Sequence, residues 1–446
     1  MTAPPPVPED AASGAGLATL PDGSTPHGSA PHGSEPPVEA ERPGWKRDIV
    51  VFLSGQTISL FGSMLVQYAV LWHLTLTTRS GSVLAVSSVV GFLPQAVVSI
   101  FGGVWADRLD RKMLIIGADA TIAVTTLALA LLMLGGADDL WLIYLALGIR
   151  SAGAGIQMPA VSALLPQIVP TDRLMRVNGI NTTIQSALML LGPAVAAGLY
   201  ANWSIVAVFF VDVVTAVIGI GLLLTIAVPR IVRIGDAPVG YFDDLLGGVR
   251  YVARHSFVRW VLVLYAVVFL LIVAPSYLTP LMVVRTFGDE VWKLTVNELA
   301  FSIGMLLGGG AVAAWGGTKN RMALILGSTL VFGGLSVGMG QSTNMWIFFS
   351  LMFALGVAVP AFSTPSMTVL QETVEPQMQG RVFGFVGIVM ALAMPLGMAI
   401  FGPLADRFAV EALLVAAGVA LFAVVGSALA LPSGRRAMAA AGTHAG

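Results

Sequence analysis

The chain has 446 residues, of which 56% are hydrophobic and only 11% are charged, and its mean hydropathy is +0.86. Soluble globular proteins carry about 25% charged residues, so this composition excludes a large soluble domain. The net charge of -1 argues against bulk nucleic-acid binding, and the lack of cysteine excludes disulfide frameworks, thiolate zinc sites and cysteine nucleophiles. We therefore expect a polytopic membrane protein.

Residues 1–44 are rich in Pro, Ala, Gly and Ser and contain almost no large apolar side chains. Such a segment cannot bury enough apolar surface to offset the entropy of ordering, so a disordered cytoplasmic tail is predicted. His27 and His32 lie in two copies of the sequence PHGS, and we favour a flexible tail over a metal site there. The segment lacks the basic start and apolar core of a signal peptide.

From Ile49 onward, apolar stretches alternate with short polar breaks. A helix needs about 20 apolar residues to cross the hydrocarbon core of a bilayer. The sequence predicts twelve such spans, near residues 48–73, 83–105, 112–135, 140–165, 176–200, 204–228, 259–283, 296–315, 322–340, 345–370, 382–404 and 408–431.

The widest gap between spans, residues 229–258, divides the twelve into two sets of six and holds more charged residues than any other gap. Its second part, Phe242–Val252, has apolar residues at helical spacing, which predicts an amphipathic surface helix. We thus expect an N-terminal bundle, a cytoplasmic linker, a C-terminal bundle and a C-terminal cytoplasmic tail, over residues 45–228, 229–258, 259–431 and 432–446.

Lysine and arginine are distributed unevenly between the two sides of these spans. With the N-terminus inside, 18 of them fall in cytoplasmic segments and 4 in outer loops. Cytoplasmic loops of membrane proteins carry the excess of positive charge. This bias predicts a multi-pass protein of the inner, cytoplasmic membrane with both termini in the cytoplasm.

The two halves also repeat in sequence. Residues 159–179 align with residues 365–384, so that Pro159 pairs with Pro365 and Arg176 with Arg381. The aligned segments cover spans 4–5 and 10–11, which makes the repeat six spans long. Parallel repeats of six helices form transporters whose substrate site lies between the halves. We therefore predict an all-α membrane protein with twelve transmembrane helices in two pseudo-symmetric six-helix bundles.

The loop between spans 2 and 3, GGVWADRLDRK at Gly102–Lys112, resembles the signature of the major facilitator superfamily. We call it the latch loop; Asp110 stands where the family usually has glycine. Asp107 can bond basic side chains and the backbone N–H groups at a neighbouring helix start, which predicts a conformational latch. An ordinary positive-inside loop explains the basic residues but not the aspartate at that spacing. The residues that match the signature are Gly103, Asp107, Arg108, Arg111 and Lys112.

Further stretches resemble the macrolide-efflux branch of that superfamily; they are GQTISLFGS, GFLPQAV, IIGAD, IRSAG, GMLLGG, GRVFG and AMPLG, at 55–63, 91–97, 115–119, 149–153, 304–309, 380–384 and 393–397. The resemblance covers nearly the whole chain after residue 44, and it implies a proton-driven exporter of amphipathic antibiotics. In span 5, LGPAVAAG at Leu191–Gly198 resembles the antiporter motif of the superfamily, with two alanines in place of the usual glycines. Gly304 and Gly308 predict close helix packing in span 8.

Charged residues inside the spans are functional candidates, because a charge at membrane depth costs several kcal/mol. Arg150 lies near the middle of span 4, where the resemblance implies proton coupling. Asp212 lies in span 6 among apolar neighbours, and burial there favours the protonated carboxyl. Glu298, at the start of span 8, is a further proton-site candidate, although the helix dipole alone would favour a glutamate there. Asp119, near the cytoplasmic end of span 3, is predicted to bond the arginines of the latch loop. Each has a structural alternative, an ion pair or a helix-packing carboxylate.

Polar and aromatic residues in four spans could line a substrate cavity. Large amphipathic ligands bind between mostly apolar walls that carry a few polar groups. Asn181 and Gln185 are four residues apart and share a helix face, as do Gln56 and Gln67. The full set of cavity candidates is Gln56, Gln67, Tyr68, Gln157, Asn181, Gln185, Tyr265 and Phe269.

No enzymatic constellation is found in the sequence. It has no phosphate-binding glycine loop, so ATP is not expected to drive transport, and its five histidines lack metal-ligand spacing. We expect no cofactor and no metal, a proton gradient as energy source, and a monomer whose partners are the bilayer, protons and a small amphipathic substrate. Two alternatives remain open, namely export of an endogenous product such as a siderophore, and a non-transporting membrane receptor on the same fold.

Overall fold

The computed structural model describes residues 44–228, 241–316 and 320–430, except the side chains of Val104, Asp107, Pro376, Gln377 and residues 241–246. The predicted N-terminal tail up to residue 43, the first part of the linker at 229–240 and the C-terminal tail at 432–446 therefore lie outside the described residues.

The described residues form fourteen α-helices and no strand. A short 3-10 turn (Thr171–Arg173) precedes the fifth helix, and a π-helical turn (Val283–Phe287) follows the ninth. In chain order the helices are α1 (Trp45–Thr78), α2 (Gly81–Arg108), α3 (Arg111–Leu134), α4 (Leu140–Ile168), α5 (Leu174–Asn202), α6 (Ile205–Leu224), α7 (Tyr241–Arg254), α8 (Ser256–Tyr277), α9 (Thr279–Met282), α10 (Val291–Trp315), α11 (Arg321–Gln341), α12 (Met345–Thr373), α13 (Pro376–Arg407) and α14 (Val410–Ala430).

Twelve helical segments among the described residues are long and apolar enough to cross a bilayer, which confirms the predicted number. α8, α9 and the π-helical turn together make one of them, Ser256–Phe287. The shortest is α6, with 20 residues. At about 1.5 Å per residue it extends about 30 Å, which matches the hydrocarbon thickness of a bilayer.

Side-chain caps fix where α2 and α3 begin. Ser80 Oγ accepts a hydrogen bond from the backbone N–H of Val83 at 3.3 Å, and Asp110 Oδ1 accepts one from Met113 at 3.2 Å. A cap of this kind satisfies a backbone donor that has no partner inside the helix. The residue that replaces the usual glycine of the latch loop is therefore the N-cap of α3.

Helix packing follows a pattern that repeats after six spans. α1 packs against α5 and α6, α2 against α4, and α3 against α4 and α6. Correspondingly, α8 packs against α13 and α14, α10 against α12, and α11 against α12 and α14. The halves meet where α2 packs on α13 and α5 on α10. This arrangement confirms the predicted pseudo-symmetric helical fold.

Close helix crossings depend on glycine. A Cβ added to Gly304 of α10 would lie 2.2 Å from the backbone oxygen of Phe353 in α12, and one added to Gly308 would lie 2.3 Å from that of Val357. Real Cβ atoms do not approach backbone oxygens so closely, so only glycine permits this crossing. The predicted close packing of these two glycines is confirmed.

The predicted amphipathic helix of the linker is present as α7. Among its described side chains, Val252 is buried, whereas Arg250 and Arg254 are exposed. A Cβ added to Gly248 would lie 2.8 Å from the backbone oxygen of Arg381, so α7 rests directly on α13. The linker helix therefore contacts the C-terminal half.

The two ends of the bundle are named here after the loops that they carry. The first-loop end carries residues 79–80, between α1 and α2. The second-loop end carries residues 109–110, between α2 and α3. Because consecutive spans run in opposite directions, α2 and α13 begin at opposite ends.

Candidate functional site

Two charged side chains singled out by the sequence, Arg150 of α4 and Asp212 of α6, form an ion pair inside the N-terminal half. The Arg150 Nη1 atom bonds both Asp212 Oδ2 and the hydroxyl of Thr126 in α3. The Asp212 side chain is fully buried, and that of Arg150 is 11% exposed. The pair therefore neutralises two charges that would be strongly unfavourable alone.

Both oxygens of the Asp212 carboxylate accept hydrogen bonds from neighbouring helices. Ser63 of α1 donates to Oδ1 at 3.1 Å, and Thr126 donates to Oδ2 at 3.0 Å, in addition to Arg150. Side chains of α1, α3, α4 and α6 thus converge on one carboxylate. Any change in its protonation would act on all four helices at once.

Asp119 of α3 lies in a second buried cluster, and the predicted bond with the latch-loop arginines is wrong. Its Oδ1 atom accepts hydrogen bonds from Ser59 of α1, at 3.4 Å, and from Gln157 of α4. The residue is 2% exposed. Two helical turns separate it from Lys112, which places it inside the bundle rather than at its end.

Gln56 and Gln157 were predicted to line a substrate cavity, and the structure contradicts both placements. They are 5% and 6% exposed, and Gln157 donates to Asp119. A polar side chain in a span faces either an aqueous cavity or a buried partner, and sequence spacing within a single helix does not separate these cases. These two amides belong to the interior of the N-terminal half.

The basic residues of the latch loop bind the ends of helices in their own half. Arg111 donates to the backbone oxygens of Ala106, at 2.8 Å, and Ala163, at 2.6 Å. Lys112 donates to those of Leu224 and Ile226, at 3.1 and 2.7 Å. Cations at the C-terminal ends of helices are favoured by the helix dipole.

The remaining signature residues of the latch loop are Arg108, Gly103 and Asp107. Arg108 is exposed, and a Cβ added to Gly103 would meet no heavy atom within 4 Å. The side chain of Asp107 lies outside the described residues, so its latch role remains a prediction.

At the first-loop end, the two halves are joined by a carboxylate that the sequence analysis missed. Asp406, in the last turn of α13, accepts hydrogen bonds from the backbone N–H groups of Gly81 and Ser82, at 2.6 and 2.8 Å, and from Ser80 Oγ at 3.0 Å. These groups form the start of α2. A carboxylate at a helix N-terminus satisfies free N–H groups and interacts favourably with the dipole.

Arginines reinforce the same junction. Arg285 donates to the backbone oxygens of Arg79 and Ala405, both at 2.6 Å, and its guanidinium lies 3.4 Å from Asp406. Arg79 pairs with Asp289 at 2.7 Å, although both side chains are more than half exposed. The first-loop end is therefore closed by polar contacts between the halves.

A sequence signal for Asp406 did exist. The latch loop contains Gly103, then Ala106, Asp107 and Arg108, and α13 ends with the same residue types at the same spacing, Gly402, Ala405, Asp406 and Arg407. Both copies end a helix, and the two helices run in opposite directions, so the copies lie at opposite ends of the bundle.

Glu298 of α10 lies apart from both buried clusters. It is half-buried, and it lies close enough to Tyr68 of α1 and Tyr277 of α8 for its charge to act on both phenols. No described residue forms an ion pair with it. This position brings Tyr68 of the N-terminal half near Tyr277 and Glu298 of the C-terminal half.

The other predicted cavity residues fall into two groups. Gln67 and Gln185 are exposed and Asn181 is half-buried, as a lining role requires. Tyr265 is 2% exposed and stacks on Phe362 at 5.5 Å, with Phe269 4.6 Å away. Its hydroxyl contacts Met390 Sδ at 3.2 Å. Tyr265 and Phe269 therefore belong to an aromatic cluster in the C-terminal half. Tyr265 is buried in the packing of this cluster, so its predicted cavity-lining role is wrong in this conformation.

Within the described part of the chain, no three histidine or carboxylate side chains come together in a way that could hold a metal ion. The geometry offers a set of buried carboxyls in the N-terminal half, together with a polar junction between the halves at one end of the bundle.

Comparison with known proteins identifies the family of this chain. A family model described as "Major Facilitator Superfamily" matches residues 49–398. "Macrolide efflux protein A" of Streptococcus pyogenes is 32% identical over 374 residues, which are 82% of this chain and 91% of that protein. A protein of the same name from Enterococcus faecalis is 32% identical over 323 residues, 71% of this chain and 100% of its own length.

Solved structures resemble this fold at low sequence identity. An inward-facing, unoccupied bacterial homologue of the human lysosomal transporter Spinster superposes with a TM-score of 0.62 at 15% identity, covering 91% of this chain and 95% of that one. The nucleoside transporter NupG superposes with a TM-score of 0.65 at 14% identity, covering 86% and 99%. At these identities the similarity shows the fold alone.

Proposed function

The chain belongs to the major facilitator superfamily of membrane transporters, and from that premise we propose that it exports amphipathic antibiotics of the macrolide type in exchange for protons. The similarity over most of both chains to relatives named as macrolide efflux proteins supports the substrate class. The buried Arg150–Asp212 pair is the observation that carries the proton part of the proposal.

The lysine and arginine bias supports an orientation in the cell membrane with both termini on the cytoplasmic side. In that orientation the first-loop end faces outward. The contacts of Asp406 and Arg285 with the start of α2 then close the outer side. The described conformation would accept a substrate from the cytoplasm.

Proton exchange at Asp212 would couple to this alternation. In the described conformation the carboxylate is paired with Arg150, which is the arrangement of an unprotonated site. A proton arriving from the outer side would neutralise Asp212, weaken its bond to Arg150 and free the guanidinium for another acceptor. Return to the inward-facing state would release the proton to the cytoplasm and restore the pair, ready for the next drug molecule.

Substrate contact would fall to the exposed groups of the spans. Gln67, Asn181 and Gln185 offer amide groups, and Tyr68, next to Gln67 in α1, offers a half-buried aromatic ring. A large amphipathic ligand binds to apolar walls through dispersion and desolvation, and a few polar groups orient it. Glu298, close to Tyr68, would add a negative charge that suits the amine found on many amphipathic drugs.

The test is a drug-susceptibility panel in a strain that lacks other pumps, combined with uptake into inverted membrane vesicles. We expect raised resistance to macrolides, and uptake that a protonophore abolishes. Asp172→Asn, which removes an exposed carboxylate paired with its neighbour Arg173, is the matched control and should transport normally. If the protein gives resistance to no drug but exports a product made by the cell, the assignment of macrolides as substrates is wrong. Uptake that is indifferent to the protonophore would refute proton exchange.

A further inference from the structure

Asp119 is a buried carboxyl that the coupling scheme above does not use. Ser59 and Gln157 both donate hydrogen bonds to the same oxygen, Oδ1. The amide of Gln56, on the same helix as Ser59, lies beside the same carboxyl. The other oxygen, Oδ2, is fully buried and has no hydrogen-bond partner among the described residues. A carboxylate normally has both oxygens satisfied when it is buried, as Asp212 does.

The charged groups around Asp119 offer it no cation. On α4, Arg150 is bound to Asp212 and Thr126. On α3 itself, Arg111 and Lys112 donate to helix-end backbone oxygens, and the described charges of α1 and α2 lie at the ends of those helices. On α6, the group that interacts electrostatically with Asp119 is another acid, Asp212.

An ionised carboxylate in this position would be a buried anion with no counter-charge and another anion nearby, which is strongly unfavourable. A proton on Oδ2 removes the charge and leaves Oδ1 free to accept from Ser59 and Gln157. We propose that Asp119 is a second proton-binding site, occupied in this conformation and separate from the Arg150–Asp212 pair.

The position of Asp119 relative to the Arg150–Asp212 pair indicates from which end of the bundle Asp119 would exchange its proton. Asp119 and Thr126 are seven residues apart on α3, Gln157 and Arg150 are seven apart on α4, and Ser59 and Ser63 are four apart on α1. The two clusters therefore form two polar layers, separated by about 10 Å along the bundle. The Asp119 layer is nearer to the second-loop end, because α3 begins there.

A proton leaving Oδ2 would pass to water entering from the second-loop end and leave a carboxylate on Asp119. That anion would keep the two donors on Oδ1 until a proton returned, either from water or from a protonated Asp212 in the other layer. This step rests on the proposed exchange of drug for protons. Proton occupancy itself does not, so it can be tested without any substrate.

The direct test is infrared spectroscopy of the purified full-length protein in lipid nanodiscs. A protonated carboxyl gives a C=O stretching band that a carboxylate lacks. We expect Asp119→Asn to remove a band present at neutral pH, and Asp212→Asn and the surface control Asp172→Asn to retain it. An unchanged spectrum in Asp119→Asn would overturn the proposal.

Folding should not obscure the result, because asparagine has the shape and neutrality of the protonated acid. A second pair of variants, Ser59→Ala and Gln157→Leu, removes the donors that would stabilise the anion. In each, the band should persist to higher pH than in the parent protein, and loss of the band at lower pH would contradict the assignment.

The transport arm separates this inference from the proposed function. Asp119→Asn should release fewer protons per drug molecule than the parent protein when drug is added to proteoliposomes. If the parent protein shows no proton-coupled drug transport at all, the proposed function fails, and the infrared band still decides whether Asp119 holds a proton.

Discussion

Gly81 and Gly402 touch where α2 crosses α13, so closely that a Cβ added to Gly81 would lie 2.2 Å from the backbone oxygen of Gly402. The contact lies beside the three hydrogen bonds that Asp406 accepts from the start of α2. Closure of the first-loop end therefore depends on glycine at both positions as well as on the carboxylate.

Gly402→Ala should open this end. Its new Cβ would lie 2.4 Å from that of Ala85 and 2.5 Å from the Gly81 oxygen, and inserting a methyl group into a packed contact costs about 1–3 kcal/mol. The chain has no cysteine, so spin labels can be attached at Thr77→Cys and Ala409→Cys, one exposed residue from each half. The distance between the labels should increase.

Gly387→Ala on the same helix is the matched control, because a Cβ there meets no heavy atom within 4 Å. It should leave the label distance unchanged. If both alanine variants behave like the parent protein, the glycine contact is not what holds this end closed.

Asp406→Asn should weaken the same junction by removing charge while keeping the shape of the side chain. The loss of a carboxylate at a helix start is worth about 1 kcal/mol, which corresponds to a shift of about fivefold in the ratio of closed to open forms. The same label pair should report a larger open fraction. Asp406→Glu retains the charge, so its open fraction should lie between those of the parent protein and Asp406→Asn. An Asp406→Asn variant as closed as the parent protein would refute the role of the charge.

The twelve spans and their two sets of six could be predicted from the sequence, because apolar length and positive-charge bias are local properties. The charged residues Arg150 and Asp212 could be singled out for the same reason. Their pairing could not, since α4 and α6 are brought together by packing on α3, and no periodicity within one helix encodes that arrangement. Gln157 was misplaced for a related reason: its partner, Asp119, is on another helix.

Asp406 was missed although the sequence contains a signal for it. A polar residue at the end of a span is ordinary and by itself predicts no contact, but the neighbours of Asp406 repeat the spacing of the latch loop. Comparing the ends of α2 and α13 in the sequence would have identified it. Internal repeats of a few residues carry information when they lie at equivalent ends of helices.

Asp212→Asn should abolish proton-driven drug uptake while leaving drug binding in place, because the amide retains the size of the carboxylate but cannot exchange a proton. The variant also leaves the Arg150 guanidinium buried without a counter-charge, which costs about 3–5 kcal/mol. A lower unfolding temperature is therefore expected, and the double variant Arg150→Gln with Asp212→Asn should recover much of it.

Uptake measured in inverted vesicles and binding measured on purified protein separate these effects. If Asp212→Asn still accumulates drug against a pH gradient, the transported proton binds elsewhere. Glu298→Gln is then the first variant to examine by the same two measurements.

Arg150→Lys keeps the positive charge and loses the planar guanidinium. Arg150 bonds Thr126 and Asp212 through one nitrogen of that group, and an ammonium on a shorter reach does not reproduce the geometry. Uptake should fall well below that of Arg176→Lys, which makes the same change at an exposed site on α5. Equal uptake by the two variants would mean that charge alone is sufficient at Arg150.

Asp107→Asn should insert into the membrane normally, because the positive-charge bias is unchanged, and it should slow the interchange between the two conformations. The prediction comes from the sequence, by analogy with the contact that Asp406 makes at the other end. Steady-state efflux measured against the amount of inserted protein tests it. Efflux equal to that of the parent protein would argue against a latch at the second-loop end.

The first turn of α2 is completed by a residue from the other half of the molecule. Gly81 and Ser82 place their amide protons on Asp406, so these protons are protected from solvent only while the halves touch. Each separation of the halves exposes these protons, so their rate of hydrogen–deuterium exchange measures how often the first-loop end opens. The amide of Leu84, which donates to the backbone oxygen of Ser80 at 3.3 Å, supplies an internal reference whose acceptor belongs to the same half.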